Sequence, residues 1–258
     1  MSKKMNQTEL EAHCDNAVTI LKALLVEFSK SANEKMTKRA MLLAYWVRTY
    51  VKYIRDEDRF SPQSVFRLKR GAIVSVEFGY RVGRELGGRH YAVVIDADNS
   101  MYRNTVTVVP LGSLKENSKD DEHNVLLADG VYGPVRRKLD ALIEDAKRTA
   151  DEAVAMDSEI EATTAPEQRA VLRAVQRQKI DSTQKLIDQA NAWIKEISHL
   201  KAGSVAKVDQ LTTISKMRIL QPLQKTHPLY GVRLSAQDLD KIDAQLMRLY
   251  FPNRKNDA

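Results

Sequence analysis

The stretch "RLKRGAIVSVEFG", residues 67–79, decides the fold class. Apolar or small residues at positions 72, 74, 76 and 78 alternate with those at 73, 75 and 77, which is the period of a β-strand with one well-buried face. Further β-branched or apolar runs are "YAVVI" (91–95), "TVTVVPL" (105–111), "NVLLA" (124–128), "GSVAKVDQL" (203–211) and "MRIL" (217–220). Six of the ten glycines lie between 71 and 112, which favours a small, tightly turning barrel.

Helical periodicity surrounds and interrupts this β material. Residues 8–56 predict two helices separated near "KSANEK", and residues 134–200 predict an antiparallel coiled-coil hairpin with Pro166 opening its return arm. A closing helix follows Ser235, which is a predicted N-cap. Neither β half alone has enough strands to bury a core, so one interrupted barrel is expected. The predicted domains are a helical region (1–60), a discontinuous barrel (66–131 plus 203–250) and an inserted hairpin (134–200).

Composition excludes several classes of function. The 258 residues carry a net charge of +7, which is compatible with a polyanionic partner. No apolar run is long enough to cross a bilayer and the first residues lack a secretion signal, so a cytoplasmic protein without membrane contact is expected. The single cysteine, Cys14, and the scattered histidines give no metal motif. The loop "GYRVGRELGG" lacks the lysine and hydroxyl residue of a Walker loop, so no metal or cofactor is predicted.

The remaining candidate for chemistry is a basic, glycine-rich loop between two strands. Residues 67–113 hold seven Lys or Arg against four acids, a footprint suited to phosphates, and Arg70, Arg81 and Arg84 are predicted nucleic-acid contacts. Metal-free cleavage of RNA requires a base, an acid and a cation around the phosphate. Within six residues, Glu85, Arg89 and His90 could supply these roles. An ordinary solvated loop is the alternative interpretation of the same residues.

"LKRGAIVSVEFGYRVGRELGGRHYAVVIDADNSMYRNTVTVVPLGS" (68–113) resembles the first half of a MazF/PemK-type toxin. That family reads Arg-Gly, a strand, a loop glutamate, an arginine before an apolar strand, and a strand ending Val-Pro-Leu-Thr-Ser. "SVAKVDQLTTISKMRI" (204–219) is similar to its second signature, and "LSAQDLDKIDAQL" (234–246) resembles its closing helix. The resemblance covers neither the first 60 residues nor the hairpin.

This resemblance implies an α+β fold with a small SH3-like β-barrel, usually homodimeric, that cleaves single-stranded RNA without metal. It further implies an antitoxin protein that covers the RNA groove and joins the toxin on operator DNA. Carried over by position, Glu85 matches the family's loop glutamate. The family's second signature is matched by four residues, to which the resemblance assigns nucleic-acid binding: Gln210, Thr213, Lys216 and Arg218.

The departures from the family fall where its chemistry is expected. His90 stands in the place of the catalytic arginine, with Arg89 one position earlier, and Gly112 stands in the place of the catalytic threonine, with Ser113 as the nearest hydroxyl. One hypothesis is substituted chemistry, in which His90 transfers protons, Arg89 or Arg84 holds the phosphate and Ser113 donates a hydrogen bond.

Two other functions fit the same sequence. A catalytically altered barrel could bind nucleic acid or a protein, or the chain could be a structural coiled-coil adaptor. The hairpin is expected either to act as a spacer or dimerisation arm, or to position a partner and screen the RNA groove.

Overall fold

The computed structural model describes residues 5–198, 200 and 203–251 of the chain. This part is α+β, as predicted, and its strands form one antiparallel sheet. The α-helices of the described part are α1 (Gln7–Ser29), α2 (Glu34–Asp56), α3 (Tyr132–Ala162), α4 (Pro166–Ile197) and α5 (Ala236–Tyr250). Its strands are β1 (Ile73–Glu77), β2 (Arg89–Val94), β3 (Thr105–Ser113), β4 (Asn124–Leu127), β5 (Ser204–Lys207), β6 (Thr212–Ser215) and β7 (Ile219–Gln221).

Backbone contacts divide the chain into two units. The first unites residues 1–60 with the loop 78–88, and the second unites residues 61–77 with 89–258. No helix in the described ranges is long and apolar enough to span a bilayer.

In the first unit, α1 and α2 form a helical pair. Asn6 and Glu9 form a reciprocal capping box that begins α1, and the Asn33 side chain caps α2 by accepting from the Lys35 backbone N–H. Only Ala40 of the two helices is buried. Most apolar side chains of the pair are therefore partly or largely exposed.

The second unit contains the sheet, whose strand order is β4-β5-β3-β2-β1-β7 with β6 also paired to β3. One edge of β3 pairs with β2, whereas its other edge pairs with β6 at residues 105–108 and with β5 at 111–113. Strands before and after the helical hairpin therefore belong to the same sheet. Among the described strands, β6 is the one that hydrophobic patterning missed, because "TTIS" is four residues long and lies between two short 3-10 turns.

The hairpin of α3 and α4 is antiparallel. Lys138 lies over the Trp193 ring near its base, and Lys179 forms an ion pair with Glu152 at 2.5 Å farther out. Pro166 is at the start of α4, where its missing N–H is not needed by the helix. With about 1.5 Å of rise per residue, each arm is roughly 45 Å long.

The principal core lies between one face of the sheet and the helices of the second unit. Ile73, Val93 and Leu111 of the sheet join Leu139 of α3 and Ile242 of α5, all nearly or fully inaccessible to solvent. Ser235 caps α5, with its Oγ accepting from the Asp238 backbone N–H at 3.1 Å. The core thereby fixes the sheet against the base of the hairpin.

Candidate functional site

One face of the sheet carries a row of polar side chains where it approaches the end of α4. Ser75 is the cross-strand partner of Tyr91, and Ser113 is the partner of Ser204. Arg89 lies two residues before Tyr91 on β2 and therefore projects from the same face. Four adjacent strands, β5, β3, β2 and β1, thus present three hydroxyls, a phenol and a guanidinium on one face.

A cleft of about 490 Å³ separates this polar row from the hairpin. Its walls include Arg89, Tyr91 and Ser113 from the sheet and Glu196 from the last turn of α4. The structure therefore brings three of the four predicted catalytic residues, Arg89, His90 and Ser113, to the wall of one cleft. It adds a carboxylate, that of Glu196, which the sequence did not single out.

Arg89 is oriented by the neighbouring strand. Its Nε donates to Ser75 Oγ at 3.2 Å, and the residue is exposed at the start of β2. Ser75 itself is only 2% exposed, so its hydroxyl is a fixed acceptor. An anchored guanidinium at the mouth of a cleft is well suited to bind a phosphate through its remaining N–H groups.

His90 projects from the other face of β2. Its cross-strand partner is Val76, and side chains alternate along the strand, so His90 and Arg89 point in opposite directions. His90 is half-buried and still contributes to the wall of the cleft. The joint action of His90 and Arg89 that the sequence suggested therefore requires them to reach one phosphate from opposite faces of the strand.

Tyr91 lies deeper in the cleft than Arg89. Burial raises the pKa of the Tyr91 phenol, the negative charge of Glu196 raises it further, and Arg89 opposes the shift. The phenol therefore keeps its proton at neutral pH and can donate a hydrogen bond into the cleft.

Glu85, Arg81 and Arg84 belong to the loop 78–88 of the first unit. Arg81 lies 3.7 Å from the Glu85 carboxylate, and its Nε donates to the Phe78 carbonyl. The loop is closed by Gly88, whose N–H donates to the Gly79 carbonyl at 2.7 Å. Glu85 and Arg84 are exposed on this loop.

The predicted nucleic-acid-binding residues between positions 210 and 218 differ from one another in exposure and contacts. Thr213 is exposed on β6, and its hydroxyl lies 3.3 Å from that of Thr107. Gln210 is half-buried in a short 3-10 turn. Arg218 donates from Nε to the Glu77 carbonyl at 2.8 Å, at the same end of β1 that pairs with Arg89.

Two of the predicted nucleic-acid contacts have structural partners instead. Lys216 is fully buried, and its Nζ donates to the Ser100 carbonyl at 2.7 Å. Burial lowers the pKa of Lys216. Arg70 donates to the Ile95 carbonyl and forms an ion pair with Asp243 of α5. These contacts give Lys216 and Arg70 roles in packing the sheet, and the burial of Lys216 withdraws it from any surface for phosphates.

No group of three or more His, Cys, Asp or Glu side chains suited to a metal ion occurs among the residues that the structure describes.

In a comparison with protein families, residues 69–179 match the model of the PemK-like, MazF-like toxin of type II toxin-antitoxin systems. The resemblance predicted from the first block is thereby confirmed. The matched residues begin just before β1, include Arg89 and Ser113, and continue through α3 into α4, where no resemblance was expected. They end before residues 203–250, so the resemblance of the second block stays a prediction. Comparison with curated protein sequences gives no match.

Proposed function

We propose that this chain is the toxin of a type II toxin-antitoxin system and cleaves single-stranded RNA without a metal ion. The observation that carries this proposal is that the family match at 69–179 includes the two sheet residues, Arg89 and Ser113, that face one cleft. An anchored arginine beside hydroxyl donors supplies the positive charge and the hydrogen bonds that stabilise the phosphodiester oxygens in the transition state.

In the proposed reaction the ribose 2′-oxygen attacks the adjacent phosphorus. A base takes the 2′-hydroxyl proton, the bond from phosphorus to the 5′-oxygen breaks, and an acid protonates that oxygen. The products are a 2′,3′-cyclic phosphate and a 5′-hydroxyl end. Arg89 holds the equatorial oxygens, where negative charge develops, and Ser113 donates to one of them. His90 and Glu85 are the sequence-derived candidates for the two proton transfers.

A second function, binding of nucleic acid or protein without cleavage, is favoured by one observation. The chain has histidine at 90 and glycine at 112, the positions to which the resemblance assigns the family's arginine and threonine. The same cleft would then bind RNA through Arg89 and leave it intact.

One experiment separates these functions. Purified protein is incubated with single-stranded RNA in EDTA, and the new ends are mapped; cleavage predicts cyclic phosphate ends and their loss in Arg89→Ala. Arg136→Ala is the matched control, since Arg136 forms an exposed pair with Asp140 on α3. RNA that stays intact while binding persists would establish the second function. Growth arrest on induced expression, with and without new RNA ends, tests the same distinction in cells.

The finer features of the fold and its partners form part of the same proposal. We propose that the sheet belongs to the SH3-like barrel class and that the helical hairpin is a coiled coil. We also propose that the chain has the three domains whose bounds the sequence predicts. The expected partners are an antitoxin protein and, together with it, operator DNA, and an RNA substrate implies action in the cytoplasm. Retention of operator DNA by the toxin and antitoxin together, in a mobility-shift assay, tests the DNA partner.

We further propose that a second copy of the chain packs on the helical pair. Val18 of α1 and Met41 of α2 are 65% and 50% exposed and line the same groove, and Tyr45 is exposed one turn after Met41. Helix α1 carries four acidic residues and one basic residue, whereas α2 carries six basic and two acidic residues. Two copies related by a twofold axis would cover these apolar faces and set each acidic helix against a basic one.

Sedimentation of the full chain tests this dimer. We expect a dimer that Val18→Glu dissociates and that Val154→Glu, at an exposed position of α3, leaves intact. A monomer at all concentrations would contradict the proposed contact.

A further inference from the structure

Glu196 lies at the junction of two cavities. It forms part of the wall of the 490 Å³ cleft that contains Arg89 and Ser113, and part of the wall of a second cavity of about 610 Å³ that contains His227. About half of its side chain is exposed to solvent. The carboxylate can therefore meet a ligand in the cleft while keeping contact with the residues behind it.

The last turn of α4 is anchored on the side that carries Glu196. Trp193, three residues earlier on the same helical face, is 5% exposed and donates from Nε1 to the Thr226 carbonyl at 2.7 Å. Ile197 follows in the principal core. The packing of Trp193 before Glu196 and of Ile197 after it thus fixes the position of Glu196 relative to the sheet.

His227 faces the carboxylate from behind. Its Nδ1 accepts the Leu229 backbone N–H at 3.1 Å, so the neutral ring carries its proton on Nε2. That Nε2 lies 3.7 Å from Glu196 Oε1, an electrostatic contact slightly longer than a hydrogen bond. Burial lowers the pKa of His227 and Glu196 opposes this shift, so the ring is neutral at pH 7 and presents an N–H to the carboxylate.

The charged and titratable groups around Glu196 come from three elements. Arg89 and Tyr91 face it from β2, His227 from the segment after β7, and Lys138 of α3 lies near His227. Among them Arg89 is the group placed to hold a phosphate, and Tyr91 and His227 are neutral donors. The cleft therefore combines a cation, hydroxyl donors and one carboxylate.

We propose that Glu196, supplied by the inserted hairpin, is the general base that takes the 2′-hydroxyl proton, and that His227 is a positioning residue for it. This inference rests on the proposed function, RNA cleavage in this cleft. The proton moves from the 2′-hydroxyl to a Glu196 oxygen as the new oxygen–phosphorus bond forms. The 5′-oxygen leaves with a proton from a separate acid, for which His90 in the wall of the cleft is the candidate. Water then accepts the proton from Glu196 and so restores the carboxylate.

The test is single-turnover cleavage of a single-stranded RNA by the full chain across a pH series. Glu196→Gln keeps the size and hydrogen-bonding reach of the side chain but cannot accept the proton. We expect a loss of about 100-fold or more in the cleavage rate and loss of the acid limb of the pH profile. RNA affinity, measured by fluorescence anisotropy, should change less than about threefold. Glu144→Gln, an exposed glutamate of α3, is the matched control and should match wild type.

Two substitutions at His227 separate positioning from folding. His227→Gln keeps a donor near the Nε2 position and should retain most of the rate. His227→Asn keeps an acceptor for the Leu229 N–H but has no donor toward Glu196, and should lower kcat by about tenfold with KM unchanged. Equal rates for the two variants would remove His227 from the mechanism.

The outcomes distinguish this inference from the function on which it rests. Cleavage by wild type with an unchanged rate and pH profile in Glu196→Gln overturns the role of Glu196 and leaves the ribonuclease intact. A parallel loss of RNA affinity and rate shows that Glu196 acts in binding, which also overturns its role as the base. Absence of cleavage by wild type overturns both proposals.

Discussion

Replacement of Gly112 by threonine, the residue that the sequence resemblance predicts for the family at this position, is expected to stabilise the protein. Gly112 lies in β3, and its φ is outside the left-handed region that favours glycine. A Cβ there would lie 3.6 Å from Lys207 Cε and 3.9 Å from the Val205 carbonyl oxygen, which are ordinary contacts. Glycine within a strand costs roughly 0.5–1 kcal/mol relative to alanine, and threonine favours strands further. We therefore expect Gly112→Thr to raise the free energy of unfolding by about 1 kcal/mol.

Urea denaturation measures this change. Trp193 fluorescence in a Trp46→Phe background reports on the second unit, since the chain has two tryptophans. Gly130→Ala is the contrasting variant: Gly130 has φ of +51°, and a Cβ there would lie 2.4 Å from Ser204 Oγ and 2.7 Å from the Ser204 backbone N. It should lose about 2 kcal/mol or more. A Gly112→Thr variant less stable than wild type by 1 kcal/mol would refute the steric reasoning.

Gly112→Thr also tests which face of the sheet performs the proposed chemistry. Ser113 projects into the cleft with Arg89. The backbone of Gly112 also lines the cleft, but a side chain at this position, one residue earlier, would point to the opposite face. Cleavage in the Arg89 cleft therefore predicts a rate within about twofold of wild type. A gain of tenfold or more on restoring the threonine would assign the reaction to the face of His90 instead.

Three further predictions concern single side chains. Arg89→Lys should lower the cleavage rate about tenfold. The Arg89 guanidinium can bind phosphate through its terminal N–H groups while its Nε donates to Ser75, and a lysine ammonium cannot make both contacts in this geometry. An unchanged rate would contradict this prediction. Trp193→Phe should cost about 1–2 kcal/mol in urea denaturation, since it leaves the Thr226 carbonyl without its donor. The lowered pKa of His227 means that the unfolded chain binds its proton more readily. The free energy of unfolding should therefore fall as pH drops below about 6.5, by at most about 1.4 kcal/mol per pH unit, and His227→Gln should lessen that slope.

Hydrophobic periodicity predicted the elements that bury a regular stripe or face. The strand β1 lies in an alternating stretch, β2 and β3 carry β-branched apolar runs, and the first arm of the hairpin repeats its apolar residues at steps of four and three. By contrast β6 has four residues and owes its place to pairing with Thr105–Val108. Pairing of that kind depends on tertiary structure and leaves no periodic signal in so short a segment.

The candidate site was predictable only in part, for the same reason. Arg89 and Ser113 could be found because they lie beside strands with a family resemblance. Glu196 could not, since an acidic residue flanking Trp193 and Ile197 on a helix is the ordinary pattern of a solvated edge. Lys216 was misjudged because a lysine after a strand usually reaches solvent, whereas here the Ser100 carbonyl holds its ammonium group inside.

The predicted correspondence to the family, with its arginine at 90 and its threonine at 112, can be compared with the faces of the sheet and with the position of the hairpin. Successive side chains along a strand point to opposite faces of the sheet, so an arginine at position 89 and an arginine at position 90 would project from different faces. The face that Arg89 occupies is the one that α4 covers, and Glu196 meets it there. Ser113 stands in the same relation to Gly112. On the predicted correspondence, both departures place polar groups on the face toward the hairpin, as expected if the proposed reaction uses the face where the hairpin supplies its carboxylate.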